Sequence, residues 1–350
     1  MCNIAGYVGH KQAAPILIEM LKKQEAYDAG IFTGIATIHE GRLYYRKVYG
    51  TAATLEQETD ALSLPGTIGI IHGRPGGTPD TFSYSHPFVP DAENRAFVLN
   101  GTCPDSHLSK QRNDGAQKAA DAGYQFYSAR YAEKDSYPQL QNSQYVAIGE
   151  VIMHLTDYYR KQGYCQQEAL ALAASDEYTD LVALMLDLET PDAISALRIS
   201  RPMYLLTGEG ESFLATCPFA FPLKMQDQCI SLPLMHVCEI TRDACTVTGI
   251  KVPGEAVCSI TPYAYAEAYR RIVALLTGRK DHPLVYDDVE IAILNMTDLW
   301  PEQHTCSPYA QLAYEVLLQL QREGRLRQKI RNQPYAAGNT TRPRAMLWLE

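Results

Sequence analysis

The sequence contains no apolar run approaching the roughly 20 residues of a membrane span, and its start has neither the basic nor the apolar region of a secretory signal. It also has no C-x-x-C pair, no long run of like charge, no internal repeat, no low-complexity tract and no G-x-G-x-x-G loop. Each absence removes a class of protein. Without paired cysteines, zinc and dithiol redox work have no motif to use. With 31 basic against 40 acidic residues the net charge is −9, which argues against a nucleic-acid surface as the main business of the chain. With neither span nor signal, the expected location is the cytoplasm. What is present is apolar bulk. Across 350 residues, 46% are hydrophobic, enough for one large domain with an appendage or for two ordinary domains. The nine cysteines are odd in number and lie singly, so they read as small buried residues kept reduced. Cys2 is the exception, because its place behind the start methionine changes its chemistry. Removal of the initiator would give it a free α-amine beside its thiol.

Hydrophobic periodicity outlines the first part of the chain. NIAGYVG reads as a short strand and APILIEMLKKQEAYD as a helix; TGIATIHEGRLYYRKVYG reads as a hairpin turning at His39-Glu40-Gly41-Arg42. TIGIIHGRPGG is a strand breaking into a glycine-rich loop, and RAFVLNGT is a strand ending in a turn. Together these strands bring Arg74, His86 and Asn100 to loops at strand ends. A short helix is expected over 116–123, followed by the polar, unpatterned SARYAEKDSYPQLQNSQ, which reads as an inserted loop. EVIMHLTDYYRKQG and CQQEALALAAS have helical spacing. DLVALMLDLE, PMYLLTGEGESFLAT and HVCEITRDACTVTGIKV read as strands around turns. Strands, then helices, then strands again fit a layered α+β domain better than a doubly wound parallel sheet.

From Pro253 to Pro262 the character changes. Three amphipathic helical segments follow, YAYAEAYRRIVALLTG, VYDDVEIAILNM and YAQLAYEVLLQLQREGRLRQKI, separated by proline-bearing stretches. They are expected to form a small helical module over residues 256–350. Three helices followed by LRQKI suit a winged-helix arrangement, while the basic residues of the tail suit a solvated face.

MCNIAGYVG, YDAGIFTGIATIHEGRL, GIIHGRPGG, SHPF, FVLNGT, GEVIMHL and PMYLLTGEGESFLAT occur in that order. In that order they resemble the segments of class II glutamine amidotransferases, which are amino-terminal-nucleophile hydrolases, and above all the glutaminase half of glucosamine-6-phosphate synthase. The resemblance covers about residues 2–255. It implies a four-layer αββα sandwich, with Cys2 at the start of a central strand and Arg74 and Asn100 presented by neighbouring strand ends.

The residues themselves suit that chemistry. A free thiol is only a few per cent thiolate at neutral pH, and an α-amine two bonds away can take its proton. Cys2 would then attack the side-chain amide of glutamine or a related amide and form a thioester that water resolves. The tetrahedral oxyanion needs fixed donors. By resemblance the side chain of Asn100 and the backbone N–H of Gly101 supply them, the glycine letting the backbone approach without a Cβ. Arg74 is expected to fork onto the substrate carboxylate, beside the Gly76-Gly77 loop, and His86 to order a neighbouring loop. No metal and no organic cofactor is expected.

Three departures from the family pattern stand out. Asn3 replaces the glycine after the nucleophile. Pro75-Gly76-Gly77-Thr78 replaces a flap bearing a tryptophan and a histidine. Ile148 occupies the place of the aspartate that holds the substrate ammonium, and an insertion at about residues 129–146 interrupts that segment, with Glu133 or Asp135 as candidate replacements. The roughly 97 residues after Pro253 are too few for the sugar-isomerase units of glucosamine-6-phosphate synthase. The expectation is therefore a glutaminase supplying ammonia to a separate acceptor synthase. The alternatives are a lapsed or altered enzyme that senses an amide or amino acid, and a winged-helix regulator with a ligand-binding front half. Self-association stays open.

Overall fold

A computed structural model describes residues 2–101, 109–131, 137–252, 259–300, 306–335 and 340–350. The chain opens with β1 (Asn3–Val8) and α1 (Ala13–Gln24), then the hairpin β2 (Phe32–His39) and β3 (Arg42–Tyr49), with its turn at Glu40-Gly41 as the sequence predicts. Next come α2 (Ala52–Glu58), β4 (Ile68–Arg74) and β5 (Arg95–Gly101). The outer helices α3 (Ser109–Asp121), α4 (Ile148–Lys161) and α5 (Gln166–Asp176) lead into β6 (Leu181–Asp187), β7 (Ile194–Arg198), β8 (Tyr204–Gly208), β9 (Glu211–Ala215), β10 (Ile230–Ser231), β11 (His236–Ile240) and β12 (Cys245–Gly249). Helix α3 is longer than the expected 116–123.

These strands form two antiparallel sheets, one in the order β10-β8-β9-β1-β4-β2-β3 and the other β12-β11-β7-β6-β5. The period-2 alternation of β1 shows how they stack. Ile4 and Val8 join Ala36, Ile70, Val98, Val182, Leu184 and Ala196 in a core between the sheets. Ala5 and Tyr7 face the other way, onto Leu17, Ile18 and Leu21 of α1. On the far side, Phe97, Ala183 and Leu197 pack against Val151, Ile152 and Leu155 of α4 and Leu170 of α5. The layers are thus helix, sheet, sheet, helix, as expected.

The last hundred residues depart from a purely helical module. They run α6 (Pro262–Leu276), β13 (Leu284–Val285), α7 (Tyr286–Leu294), α8 (Tyr309–Arg322) and a long hairpin, β14 (Leu326–Tyr335) with β15 (Thr340–Leu349). β13, β15 and β14 form a third sheet in that order. The LRQKI segment is therefore a strand. Its charged residues occupy both exposed faces, and main-chain pairing to β15 holds it. Thr261 caps α6 by accepting from Ala264 N, with Pro262 at the first helical position.

This segment shares a core with the sandwich. Tyr27 stacks on Phe219 with centroids 4.7 Å apart, and Tyr286 stacks on Tyr314 at 4.6 Å, the two pairs meeting edge to face. Leu17 and Leu21 of α1 and Ile272, Val289 and Leu317 of α6, α7 and α8 belong to one buried cluster. Polar ties reinforce the contact: Tyr27 Oη donates to Gln328 at 2.5 Å, and Arg342 and Arg344 pair with Asp28 at 3.1 and 3.0 Å.

Among the described cysteines none is disulfide-bonded; Cys217, Cys238 and Cys306 are buried, but Cys165 and Cys245 are exposed, contrary to the expectation of general burial. Cys103 and Cys258 lie outside the described residues. No helix among the described residues is long and apolar enough to cross a membrane.

Candidate active site

A cavity of about 470 Å³ opens at the ends of β1, β4 and β5, lined among others by Cys2, Arg74, Gly76, His86, Asn100 and Gly101. Antiparallel pairing of β1 with β4 sets Asn3 opposite Gly73 and so brings Cys2 next to Arg74. The backbone nitrogen of Cys2 donates to Asn100 Oδ1 at 3.2 Å, joining positions 98 residues apart. This leaves Asn100 Nδ2, which is buried and without a partner. A buried amide N–H with nothing to donate to is costly, and here it belongs to a residue that lines one cavity with Cys2 and Arg74.

Burial pushes the Cys2 thiol up, while the guanidinium groups of Arg74 and Arg201 pull the other way. Arg74 donates through Nη1 to Tyr84 O at 3.0 Å and lies 6.0 Å from the Phe32 ring centre. His86 is buried with both ring nitrogens unpartnered, its centroid 4.2 Å from that of His72. Burial, with His72 and Arg74 nearby, holds His86 well below the usual imidazole range. His72 is likewise lowered to about 3 by burial, its Nε2 lying 3.1 Å from Leu99 O. Both rings are neutral at ordinary pH.

The departures noted in the sequence have definite places. Asn3 turns away from the thiol: its Nδ2 donates to Gln24 O at 2.6 Å, at the end of α1. Gly76 lines the cavity, whereas Gly77 does not. At φ +127, Gly77 has no room for a Cβ, which would meet Phe32 Cε2 at 2.4 Å. Its N–H donates to Tyr335 Oη at 3.1 Å, and Arg342 donates to Pro75 O at 2.8 Å. The C-terminal hairpin therefore holds the loop. Gly101 needs to be glycine for packing: a Cβ there would meet Leu181 Cβ at 2.5 Å and Asp180 O at 2.7 Å, so the tight side faces β6.

Ile148, at the start of α4, lines the cavity as the sequence implied. Glu150 behind it is a structural acid, accepting from Tyr127 N at 2.8 Å and from Ser128 N and Oγ at 3.0 and 2.5 Å. Burial raises it to about 7. The described part of the insertion is ordered against the site, with Arg130 bridging to Tyr145 and donating to Ser83 Oγ at 2.8 Å. Tyr137 from the insertion lines the cavity. Burial raises its phenol, opposed by Arg74. Glu133 and Asp135 lie outside the described residues.

Sequence reasoning missed a whole wall of the cavity. Arg201, Asp287, Glu290, Ile291 and Tyr309 line it, four of them from α7 and α8. Arg201 bridges the two sides. It pairs with Asp180 at 2.8 Å, lies 3.7 Å from Glu290, and stands over the Tyr309 ring at 5.5 Å. No local pattern signals these residues. Among the described residues, no group of three or more histidines, cysteines and acids is placed to hold a metal ion.

No family model matches the chain. Among curated proteins, the glutamine–fructose-6-phosphate aminotransferase (isomerizing) of Clostridium tetani is 32% identical over 220 residues, covering 62% of this chain and 31% of that protein. The Pseudomonas aeruginosa protein of that name is 29% identical over 249 residues, covering 70% and 36%. Among solved structures, a glutamine phosphoribosylpyrophosphate amidotransferase from B. subtilis matches with a TM-score of 0.57 at 15% identity, over 78% of this chain and 58% of that one. The sandwich is that of the class II glutamine amidotransferases. A second structure, described as the allosteric regulatory enzyme of purine biosynthesis, matches with a TM-score of 0.58 at 15% identity, over 78% of this chain and 58% of that one. The chain spans about a third of the length of the curated relatives it matches.

Proposed function

We propose that the chain hydrolyses the side-chain amide of glutamine through a Cys2 thioester and passes the ammonia to a separate acceptor enzyme. The observation that carries this reading is the buried, unpartnered Asn100 Nδ2 beside Cys2, in one cavity with Arg74. In this reading Met1 is removed and the freed α-amine takes the thiol proton. The attack puts negative charge on the amide oxygen, where Asn100 Nδ2 and the Gly101 N–H receive it. Arg74 holds the substrate carboxylate. His86 shapes the cavity wall as a neutral ring. Ammonia leaves, and water resolves the thioester to glutamate.

The test is glutamate release from protein whose mass shows loss of Met1. Turnover is expected, and Cys2→Ala is expected to lower it at least about a thousandfold. Equal rates in parent and variant would end the catalytic reading.

Ile148 favours a second reading, an amide or amino-acid sensor without turnover, because its side chain cannot pair with an ammonium. Stabilisation by glutamine without glutamate release would support it. A nucleic-acid reader is disfavoured: α8, which the helix–strand–helix–helix–hairpin order would use for reading, buries Leu312, Tyr314, Val316, Leu317 and Leu320 against the rest of the protein.

A further inference from the structure

A cavity that holds a substrate carboxylate at Arg74 and attacks its amide at Cys2 must also meet the charge on the substrate's ammonium. Ile148 offers none. Among the described residues, the carboxylates lining the cavity are Asp28, Asp287 and Glu290. The charges of two of them are matched: Asp28 Oδ1 takes hydrogen bonds from Arg342 at 3.1 Å and Arg344 at 3.0 Å, and Asp287 Oδ2 pairs with Arg344 at 2.6 Å, although Asp287 Oδ1 is buried without a hydrogen-bond partner. Glu290 differs. It is only 9% exposed, and its ion pair with Arg201 is 3.7 Å long, beyond hydrogen-bond reach. Arg201 itself is committed to Asp180 at 2.8 Å. Glu290 is therefore a nearly buried carboxylate with unused acceptor capacity, on the wall of the cavity that holds the unpartnered Asn100 Nδ2 and His86 nitrogens. Arg201, 3.7 Å from Glu290, lines the same cavity as Cys2.

We propose that Glu290 of α7 is the ammonium acceptor of this site, so that the C-terminal segment determines specificity for an amino acid over a plain amide. This assignment rests on the glutaminase reading for its substrate, and adds to it the residue that recognises the amine. A helix late in the chain takes over a function that the start of α4 cannot perform. Arg201 positions the carboxylate through their 3.7 Å ion pair.

Binding tests the proposal without relying on turnover. Full-length Cys2→Ala protein is titrated by calorimetry with L-glutamine and with glutaramate, the same acid amide lacking the amine. A charge-assisted contact predicts a preference for glutamine of about tenfold to a hundredfold. Glu290→Gln in that background is expected to weaken glutamine to the level of glutaramate while leaving glutaramate binding as it was, which also shows that the cavity is still folded. An unchanged preference in Glu290→Gln, no preference in the Cys2→Ala parent, or a preference lost in Asp287→Asn but kept in Glu290→Gln overturns the assignment. Retained binding preference with no glutamate release from Cys2 protein would sink the catalytic reading and leave this one standing.

Discussion

The two walls of the cavity are built by different means. The wall bearing Cys2, Arg74 and Asn100 is made of strand ends, fixed by the registers of β1 with β4 and of β5 with β6. The wall bearing Glu290 and Tyr309 is made of helices held by side-chain packing, above all by Tyr286 and Tyr314 against Tyr27 and Phe219. A backbone ladder positions atoms tightly and tolerates surface change. A packed interface depends on a few large side chains. The strand wall is thus suited to reacting atoms and the helical wall to selecting what reaches them.

That division can be broken from either side. The largest effect is expected from the strand wall: Asn100→Ala removes both the free donor and the acceptor of the Cys2 nitrogen, and should lower kcat by about a hundredfold to a thousandfold. Steady-state glutaminase kinetics check it, and a change confined to KM would count against the oxyanion assignment. Next in size is Tyr314→Ala, which empties part of the joint and should cost about 3–5 kcal/mol in urea unfolding. Because one buried cluster spans α1 and α6 to α8, sandwich and C-terminal segment should still unfold in a single transition. Two separate transitions would show that the walls are independent.

The smallest effects are in pH dependence. Glu150 is raised to about 7 by burial, so the folded chain holds its proton more tightly than the unfolded one. Its contribution to stability is full below the ordinary glutamate range and is lost as pH rises through about 7. His154 is lowered to about 4 by burial, so its contribution is present above the ordinary imidazole range and is lost as pH falls through about 4. The two oppose each other across mildly acid pH. Urea midpoints measured over that range should rise more steeply with pH in Glu150→Gln and less steeply in His154→Gln. Parallel curves for both variants would reject the burial assignments.

The sequence showed the strand wall and concealed the helical one for physical reasons. Strands such as β1, β2 and β4 are buried almost throughout and mostly apolar because both sheet faces are covered, and Arg74 and Asn100 stand at the ends of β4 and β5, next to that pattern. Helix α4 was equally visible, with Val151, Ile152 and Leu155 on one face. β7 was missed because it is 5 residues long, ISALR, with an arginine that is buried through hydrogen bonds to Arg201, Ser231, Leu232 and Gln311. The hairpin of β14 and β15 was missed because β14 exposes most of its side chains, so no alternation marks it. Glu290 was invisible for a different reason. Its position in YDDVEIAIL looks like any polar helix site, and only the packing of α7 against the sandwich brings it near Cys2, about 290 residues earlier.

That distance along the chain orders events during synthesis. The strand that follows Cys2 is made before the hairpin that pins Pro75 and Gly77 and pairs with Asp28. Until α7, α8 and that hairpin are made and packed, Tyr27 and Leu21 lack part of their apolar cover and the cavity has only its strand wall.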